Sequence, residues 1–560
     1  MTAPPPRPPR LRSLLPRRAD LAAMRRAPGR DLLAGVTVAI VALPLALGFG
    51  ISSGLGAQAG IVTAIVAGFL AALFGGSNLQ VSGPTGAMTV VLVPIVAAHG
   101  PGGVLTVGLM AGLILLGLAW ARGGRYMRYV PAPVIEGFTL GIAAVIALQQ
   151  IPFVLGLPQP EGHGVLAGAW HLVRDFAADP DWTPPGIALG TAAVMLLGAR
   201  WKPTVPFSLL AVAAATALVH LTPLKAPAIG ALPAGLPAPS LAFLDPAALG
   251  PLLGAAVAVA ALAALESLLS ATVADGMRVD EHHDPDRELF GQGIANLVTP
   301  VFGGVPATAA IARTAVNVRS GAVSRLAAMV HAVVLAVVVL AFAPLVGLVP
   351  LAALGGVLLA TAVRMVEVGS VRVMMRSTRG DAAVLVLTAV ATLALDLVMA
   401  VLLGMAVTAA LALRSVARNA RLDRVELADD LPGGHDAEER ALLDEHIVAY
   451  RLDGPLFFAA AHRFLLELTE VADVSAVILR MSHLSAVDAT GAMVLGDAVR
   501  RLERRGITVL LSGVRPDHER ALRSQGAIED LYAGGLVLET TPAAIAHAHA
   551  LLRERGTLPA

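Results

Sequence analysis

The chain has 560 residues, 56% of them apolar and only 14% charged, and its mean hydropathy is +0.74. That composition lies outside the range of water-soluble domains and indicates burial in a lipid bilayer. A net charge of +1 excludes a generally basic nucleic-acid binder, and the lack of cysteine excludes disulfides, thiolate metal sites and thiol catalysis.

Eight arginines lie between Arg7 and Arg30, ahead of the first apolar run. Basic clusters beside a spanning segment hold that end in the cytoplasm, so residues 1–30 read as a cytoplasmic arm. The run after Arg30 is too long for a cleaved leader and is read as a first span. Within 31–414 the sequence gives fourteen apolar segments: 31–50, 58–75, 84–98, 103–121, 131–149, 185–199, 204–221, 248–272, 287–300, 306–318, 325–343, 349–363, 381–395 and 397–414. Threaded from a cytoplasmic start, these place Arg122, Arg125, Arg128, Arg200, Lys202, Arg319, Arg325, Arg372, Arg376 and Arg379 inside. Arg414, Arg418, Arg421 and Arg424 then return the chain to the cytoplasm, which requires an even count. Past Asp429, with Pro432, Gly433 and Gly434, the composition turns polar, and 415–440 reads as a linker. Residues 441–560 alternate strand-like runs (447–452, 477–481, 508–514, 536–538) with helix-like runs (462–472, 490–505, 516–525, 543–555), which predicts a small cytoplasmic α/β domain.

An internal echo is the most informative feature. Gln80-Val-Ser-Gly-Pro84-Thr-Gly-Ala-Met88 corresponds to Gly303-Gly-Val-Pro306-Ala-Thr-Ala-Ala310 at an offset of 222, and Val130-Pro131 to Val349-Pro350 at 219. Two halves of seven spans each must cross the membrane in opposite senses, the inverted-repeat plan of secondary transporters. Each echoed segment reads as an extended Gly-rich piece with Pro84 or Pro306 at a first helical position, opening a helix too short to span. Two such helices start near mid-membrane, where their free N–H groups and dipoles favour an anion.

Glu266 stands alone in an apolar span, where an ionisable group costs on the order of 3 kcal/mol and calls for a role. Protonation neutralises it most cheaply, so it reads as a proton-coupling carboxylate with Ser267 and Ser270 as local hydroxyl partners; a cation such as Na⁺ and a purely structural pairing stay open. Arg313 either adds fixed positive charge beside an anion or snorkels to the cytoplasm. Glu136 and Asp396 lie near span ends, where water or an ion pair serves them, and His282-His283 reads as solvated loop. No phosphate loop and no His-Glu-x-x-His run occurs, so an enzyme is disfavoured and no cofactor is implied.

Ala42-Leu-Pro44-Leu-Ala-Leu-Gly-Phe49, Ser82-Gly-Pro-Thr-Gly-Ala-Met88, Glu266-Ser-Leu-Leu-Ser270 and Ile311-Ala-Arg-Thr-Ala-Val-Asn-Val-Arg-Ser-Gly321 together resemble the sulfate permease (SulP, solute carrier family 26) anion transporters. The C-terminal domain resembles the STAS module related to anti-sigma-factor antagonists. The resemblance implies an all-α polytopic membrane domain of 14 transmembrane segments, a 7+7 inverted repeat with core and gate domains, followed by a small α/β STAS domain. It also implies elevator-type movement, a homodimer, and a substrate held between the third and tenth helices with help from the first. Carried onto matching positions, the substrate-binding residues are Phe49, Thr85, Gly86, Ala87, Ala309, Ala310, Ile311 and Arg313, and the ion-coupling residues are Glu266 and Ser270. Leu45 stands where many relatives have Gln, Glu266 and Ser270 where sodium-coupled bicarbonate relatives carry Asp and Thr, and Ala489 at the position that anti-sigma-factor antagonists phosphorylate, leaving Thr490 as a helix cap.

The expectation is a secondary active transporter in a bacterial inner membrane with both termini cytoplasmic, running proton symport of a small anion: a fumarate-like dicarboxylate, sulfate or bicarbonate. An uncoupled anion exchanger is the alternative within that class. An anion channel, a receptor whose STAS domain reports occupancy, or a nucleobase transporter of similar fold are the readings outside it.

Overall fold

The computed structural model of the protein describes residues 14–158, 165–202, 205–233, 235–278, 282–395, 397–419, 421–425, 446–457, 474–524 and 528–556. The predicted helix 462–472, Asp396, the Pro432-Gly433-Gly434 stretch and the first thirteen residues of the arm lie outside them. The chain divides into two compact units, 1–405 and 406–560.

The first unit is helical. A short helix α1 (Arg18–Met24) leads into α2 (Pro28–Ser52) and α3 (Ala57–Phe74); a two-residue strand β1 (Ser82–Gly83) then precedes α4 (Gly86–Trp120). Next come α5 (Ala132–Gln149), α6 (Ile151–Leu155), α7 (Val165–Ala178), α8 (Thr183–Trp201), α9 (Phe207–Leu221), α10 (Leu249–Gly276) and α11 (Pro285–Val298). After strand β2 (Thr308–Ala309) follow α12 (Ile311–Arg319), α13 (Leu326–Gly347), α14 (Leu351–Met365), α15 (Val368–Arg376), α16 (Arg379–Ala394) and α17 (Leu397–Asn419). Gly100, at φ +67° and followed by Pro101, breaks α4 into the two predicted segments. Among the described residues eight helical stretches are long and apolar enough to cross a bilayer; of the other predicted spans, α8 has the length but is less apolar, and the rest are shorter helices.

Lipid offers helices no hydrophobic drive to associate, so close backbone approach does the packing. A side chain at Gly60 of α3 would strike the Ala46 carbonyl of α2, and one at Gly112 of α4 the backbone of Asn296 and Leu297 on α11. Pro131 and Pro350 are the N-caps of α5 and α14 with matching dihedrals (φ −69° and −66°, ψ 141° and 136°), as the Val-Pro echo predicts. The other echo departs from its prediction. Pro84 and Pro306 are not first helical residues: α4 opens at Gly86 behind the cap Thr85, and α12 only at Ile311. The two segments pair as strands instead, Ser82 with Ala309 and Gly83 with Thr308 in antiparallel register, just before Pro84 in the first and between Pro306 and Ile311 in the second.

At the end of this unit where α3 stops and α11 and α13 start, Asp20 of α1 bridges two buried arginines. Its carboxylate accepts from Arg287 Nη2 at 2.6 Å and Arg325 Nη2 at 3.3 Å, while Arg325 Nη1 donates to the carbonyls of Ala72, Leu73 and Gly75. Partial burial alone would raise the Asp20 carboxyl, but the Arg287 hydrogen bond, the Arg17 backbone N–H and the two positive charges outweigh it and hold the carboxyl below its ordinary range. A depressed carboxylate stabilises the fold above the unfolded-state value and ceases to as pH falls through the folded one. Asp20→Asn is therefore expected to cost on the order of 2 kcal/mol at pH 7, because it leaves buried arginine charge uncompensated. The difference in unfolding temperature from wild type should shrink as pH is lowered through the carboxylate range; a gap that stays constant would remove the electrostatic explanation.

The second unit contains a mixed sheet in the order β3 (Arg421–Val425), β4 (Ile447–Leu456), β5 (Ala476–Arg480), β7 (Thr508–Ser512), β8 (Val537–Leu538), with β6 (Leu484–Val487) also on β4. Among the described strands of this sheet only the β3–β4 pair is antiparallel. Alternation along the strands feeds two cores: Val477, Leu479, Val509 and Leu511 pack against α18 (Ala489–Arg504), and Ala476, Ile478 and Leu510 against α21 (Thr541–Glu554). The helices α19 (Pro516–Ser524) and α20 (Glu529–Ala533) connect β7 to β8. Strand β3 falls inside the segment read as linker, and β6 was not foreseen. The cap of α18 is Asp488, whose carboxylate accepts from Gly491 N at 2.7 Å, and not Thr490: Asp488 occupies the extended N-cap position and Thr490 is already the second helical residue.

Candidate functional site

The site is built where the two extended segments meet. Neither 76–85 nor 303–310 is helical, so their backbone groups need partners at membrane depth. Polar side chains of three helices supply them. On α11, Glu288, Gln292 and Asn296 repeat at every fourth position and so share one face. Glu288 Oε2 accepts from the N–H groups of Gly76 (2.9 Å) and Ser77 (3.2 Å); Gln292 Nε2 donates to Ser82 Oγ (2.6 Å); Asn296 satisfies both backbone groups of Ala307, its Oδ1 accepting from the N–H and its Nδ2 donating to the carbonyl, at 2.8 Å each. From α10 the Ser267 hydroxyl pairs with Thr308 at 2.9 Å and accepts from Ala309 N. From α12 Asn317 Nδ2 donates to the Leu79 carbonyl, and the Thr314 hydroxyl, itself held by Ser270, accepts from Val81 N.

Within this frame the two helix starts differ. At α4 the Thr85 hydroxyl caps Met88 N, leaving the first-turn N–H groups of Gly86 and Ala87 without helical acceptors. Gly86 lies against Phe49 and Ile146, and a side chain there would meet both. At α12 no side chain caps the helix, and Ile311 is exposed where Thr85, Gly86 and Ala87 are buried. The N–H groups of Ala309 and Ala310 are committed to Ser267 Oγ and the Val81 carbonyl, so the free donors at this end begin at Ile311.

Glu266 reaches this junction from α10. Its Oε2 accepts from the Thr85 hydroxyl at 2.9 Å, across 181 residues of sequence. Ser267 and Ser270 are not its partners, contrary to the expectation from spacing: neighbours on one helix point to different sides, and these two hydroxyls face β2 and α12. Arg313 does not snorkel. It is 2% exposed, its Nη2 donates to the Pro84 carbonyl at 2.8 Å, and its guanidinium lies over Gly83. Carboxylate and guanidinium thus grip adjacent residues, Thr85 and Pro84, one on each side of a single peptide bond. The two opposite charges are close enough to interact electrostatically, which biases the charge state that each helix end tolerates.

These residues sit inside a recognisable frame. Residues 29–388 match the Sulfate permease family, and residues 441–534 match the STAS domain. The chain belongs to the sulfate permease family. YvdB of Bacillus subtilis (strain 168), which carries a provisional sulfate-transporter name, is 34% identical over 509 residues, covering 89% of this chain and 93% of that one. The bicarbonate transporter BicA of Synechocystis sp. (strain ATCC 27184 / PCC 6803 / Kazusa) is 31% identical over 508 residues, covering 88% and 89%. The murine anion transporter Slc26a9, solved in an inward-facing state, has the same fold, with a TM-score of 0.81 at 17% identity over 96% of this chain and 94% of that one. This sulfate permease member is therefore a multi-pass membrane transporter with a C-terminal α/β STAS domain.

Several residues that shape the site escaped the sequence reading. Gln292 and Asn296 were visible as a polar stripe in span 287–300, and Thr308 as the hydroxyl of the second echo; what hid their roles is that their partners lie in other segments. Outside the site, Glu136 accepts from Ser370 Oγ at 2.8 Å, and His283 is not plain solvated loop, since its Nδ1 lies 2.7 Å from an Asp275 oxygen.

Proposed function

We propose that the chain is a proton-coupled symporter of a small anion. The observation that carries this reading is the hydrogen bond from Thr85 to Glu266 at the capped start of α4, with Arg313 fixed on the neighbouring peptide. An anion drawn to the free N–H groups of Gly86, Ala87 and Ile311 meets one fixed positive charge and one ionised carboxylate. Protonating Glu266 removes the repulsion, so proton and anion enter together. Phe49 closes the apolar side against Gly86, Ala309 and Ala310 contribute small surfaces, and Ser270 acts through Thr314 to hold α12.

The loaded segments then cross as part of a core domain moving against a gate domain, within fourteen crossings related by inverted repeat. The further parts of the proposal are a homodimer in a bacterial inner membrane, cytoplasmic termini, and domains at 1–30, 31–414, 415–440 and 441–560. Sulfate and bicarbonate, which the names of relatives give, and a fumarate-like dicarboxylate are the substrates to try. In proteoliposomes, an inward proton gradient should drive accumulation of one of these anions, and Glu266→Gln should lower gradient-driven accumulation at least about tenfold while leaving some counterflow exchange. Uptake that ignores the gradient in both proteins would instead describe an exchanger with a structural Glu266.

A further inference from the structure

Behind the two helix starts lies a polar group for which the proposed cycle has no use. His331, on the otherwise apolar α13, is fully buried, and among the described residues neither ring nitrogen has a hydrogen-bond partner. An unsatisfied polar side chain at membrane depth makes the fold less stable than an apolar one of similar size, so its presence calls for a role and a partner.

Small residues of α3 locate that partner. Gly83, over which the Arg313 guanidinium lies, backs onto Ala64. Four residues on, the space in front of Gly68 is bounded by the Ser82 carbonyl and the His331 ring. Ala64 and Gly68 share one face of α3, about 6 Å apart along its axis. Guanidinium and imidazole therefore stand one helical turn apart behind β1, close enough to interact electrostatically. Arg313 Nη1 is likewise buried and unpartnered, and so is Oε1 of Gln292, whose Nε2 holds Ser82. A donor, a ring nitrogen that accepts, and a carbonyl facing one another behind β1 are the partners that one bound water needs.

We propose that His331 is a positioning residue of the anion site, whose neutral ring holds Arg313 Nη1 from behind through one bridging water and so keeps the guanidinium aimed at the junction of α4 and α12. The inference rests on Arg313 being the fixed cation of that site. Nη2 is already tied to Pro84, so the water fixes the second arm and removes the guanidinium's remaining rotation.

The test uses the full chain in proteoliposomes, with [35S]sulfate and [14C]bicarbonate uptake and thermal unfolding measured in parallel. His331→Leu should raise KM about tenfold with kcat within about twofold, because positioning of the bound anion is lost and not the transport cycle. The same variant should melt close to the wild-type temperature, since the imidazole's desolvation cost goes while Arg313 Nη1 loses its bridged partner. His331→Gln, which keeps a donor and an acceptor, should stay within about threefold of the wild-type KM. Arg313→Gln should raise KM by itself, and the double variant with His331→Leu should be no worse than Arg313→Gln alone. An unchanged KM in His331→Leu, a defect that adds fully to that of Arg313→Gln, or a KM defect that follows a lowered melting temperature in both His331 variants would each overturn the proposal. An unchanged KM in Arg313→Gln would remove the anion-site reading, and the inference with it.

Discussion

Asn296→Leu is expected to lower stability by about 4 kcal/mol and to abolish anion uptake in whatever protein survives purification. The side chain amide makes two bonds to the backbone of one buried residue, donating to the Ala307 carbonyl and accepting from the Ala307 N–H, each at 2.8 Å, and it also donates to the Gln292 carbonyl on its own helix. Ala307 is fully buried, so the leucine variant strands one donor and one acceptor where no water reaches them. Each orphaned group costs about 1–3 kcal/mol. The residue they belong to leads directly into Thr308 and Ala309, the strand that pairs with Ser82 and Gly83, so the same loss loosens the start of α12. Asn296→Asp separates the two halves of the clamp: it keeps an acceptor for the N–H, loses the donor to the carbonyl, and should fall between leucine and wild type. Thermal unfolding followed by size-exclusion chromatography reads both. A leucine variant melting with wild type would mean that Ala307 has other partners and that the clamp is not what fixes the second extended segment.

The helices were legible because membrane burial writes them as apolar runs, and Glu266 was legible because it breaks one. What the runs do not encode is pairing. The starts of α4 and α12 were placed at Pro84 and Pro306 because a proline tolerates a first helical position; the structure instead uses 82–83 and 308–309 to pair the two segments, moving the starts two and five residues along. Glu266 was given Ser267 and Ser270 because they are near in sequence, whereas its partner is Thr85, reached only because α10 lies alongside β2 and the capped end of α4. The same holds for Asn296 and Ala307, eleven residues apart yet joined only because the chain turns back at Gly303, which sits at φ +73°. Asp488 displaced Thr490 as the cap of α18 because a capping side chain must stand outside the first turn, a condition that depends on where the helix begins and not on which hydroxyl looks available.

Gly83→Ala carries the other large effect, and here two costs can be told apart. Gly83 adopts φ +154°, outside the range side-chain-bearing residues favour, which adds strain of about 1–3 kcal/mol for alanine. A Cβ there would also strike Arg313 Nη1, so the guanidinium must leave or the Pro84 carbonyl bond must break. The variant is expected to lose at least about tenfold in anion uptake together with stability. Combining it with Arg313→Ala removes the collision but not the backbone strain. The two substitutions should therefore be less than additive in stability by at least about 1 kcal/mol in a double-mutant cycle, while uptake stays low because the fixed charge is gone. Full additivity would place the guanidinium away from Gly83 and leave backbone strain as the whole effect. A stable double variant that still takes up anion at the wild-type rate would take Arg313 out of the site, and with it the charge that makes protonation of Glu266 useful: a carboxylate facing two helix ends with no fixed cation beside it would serve a bound cation as readily as a proton.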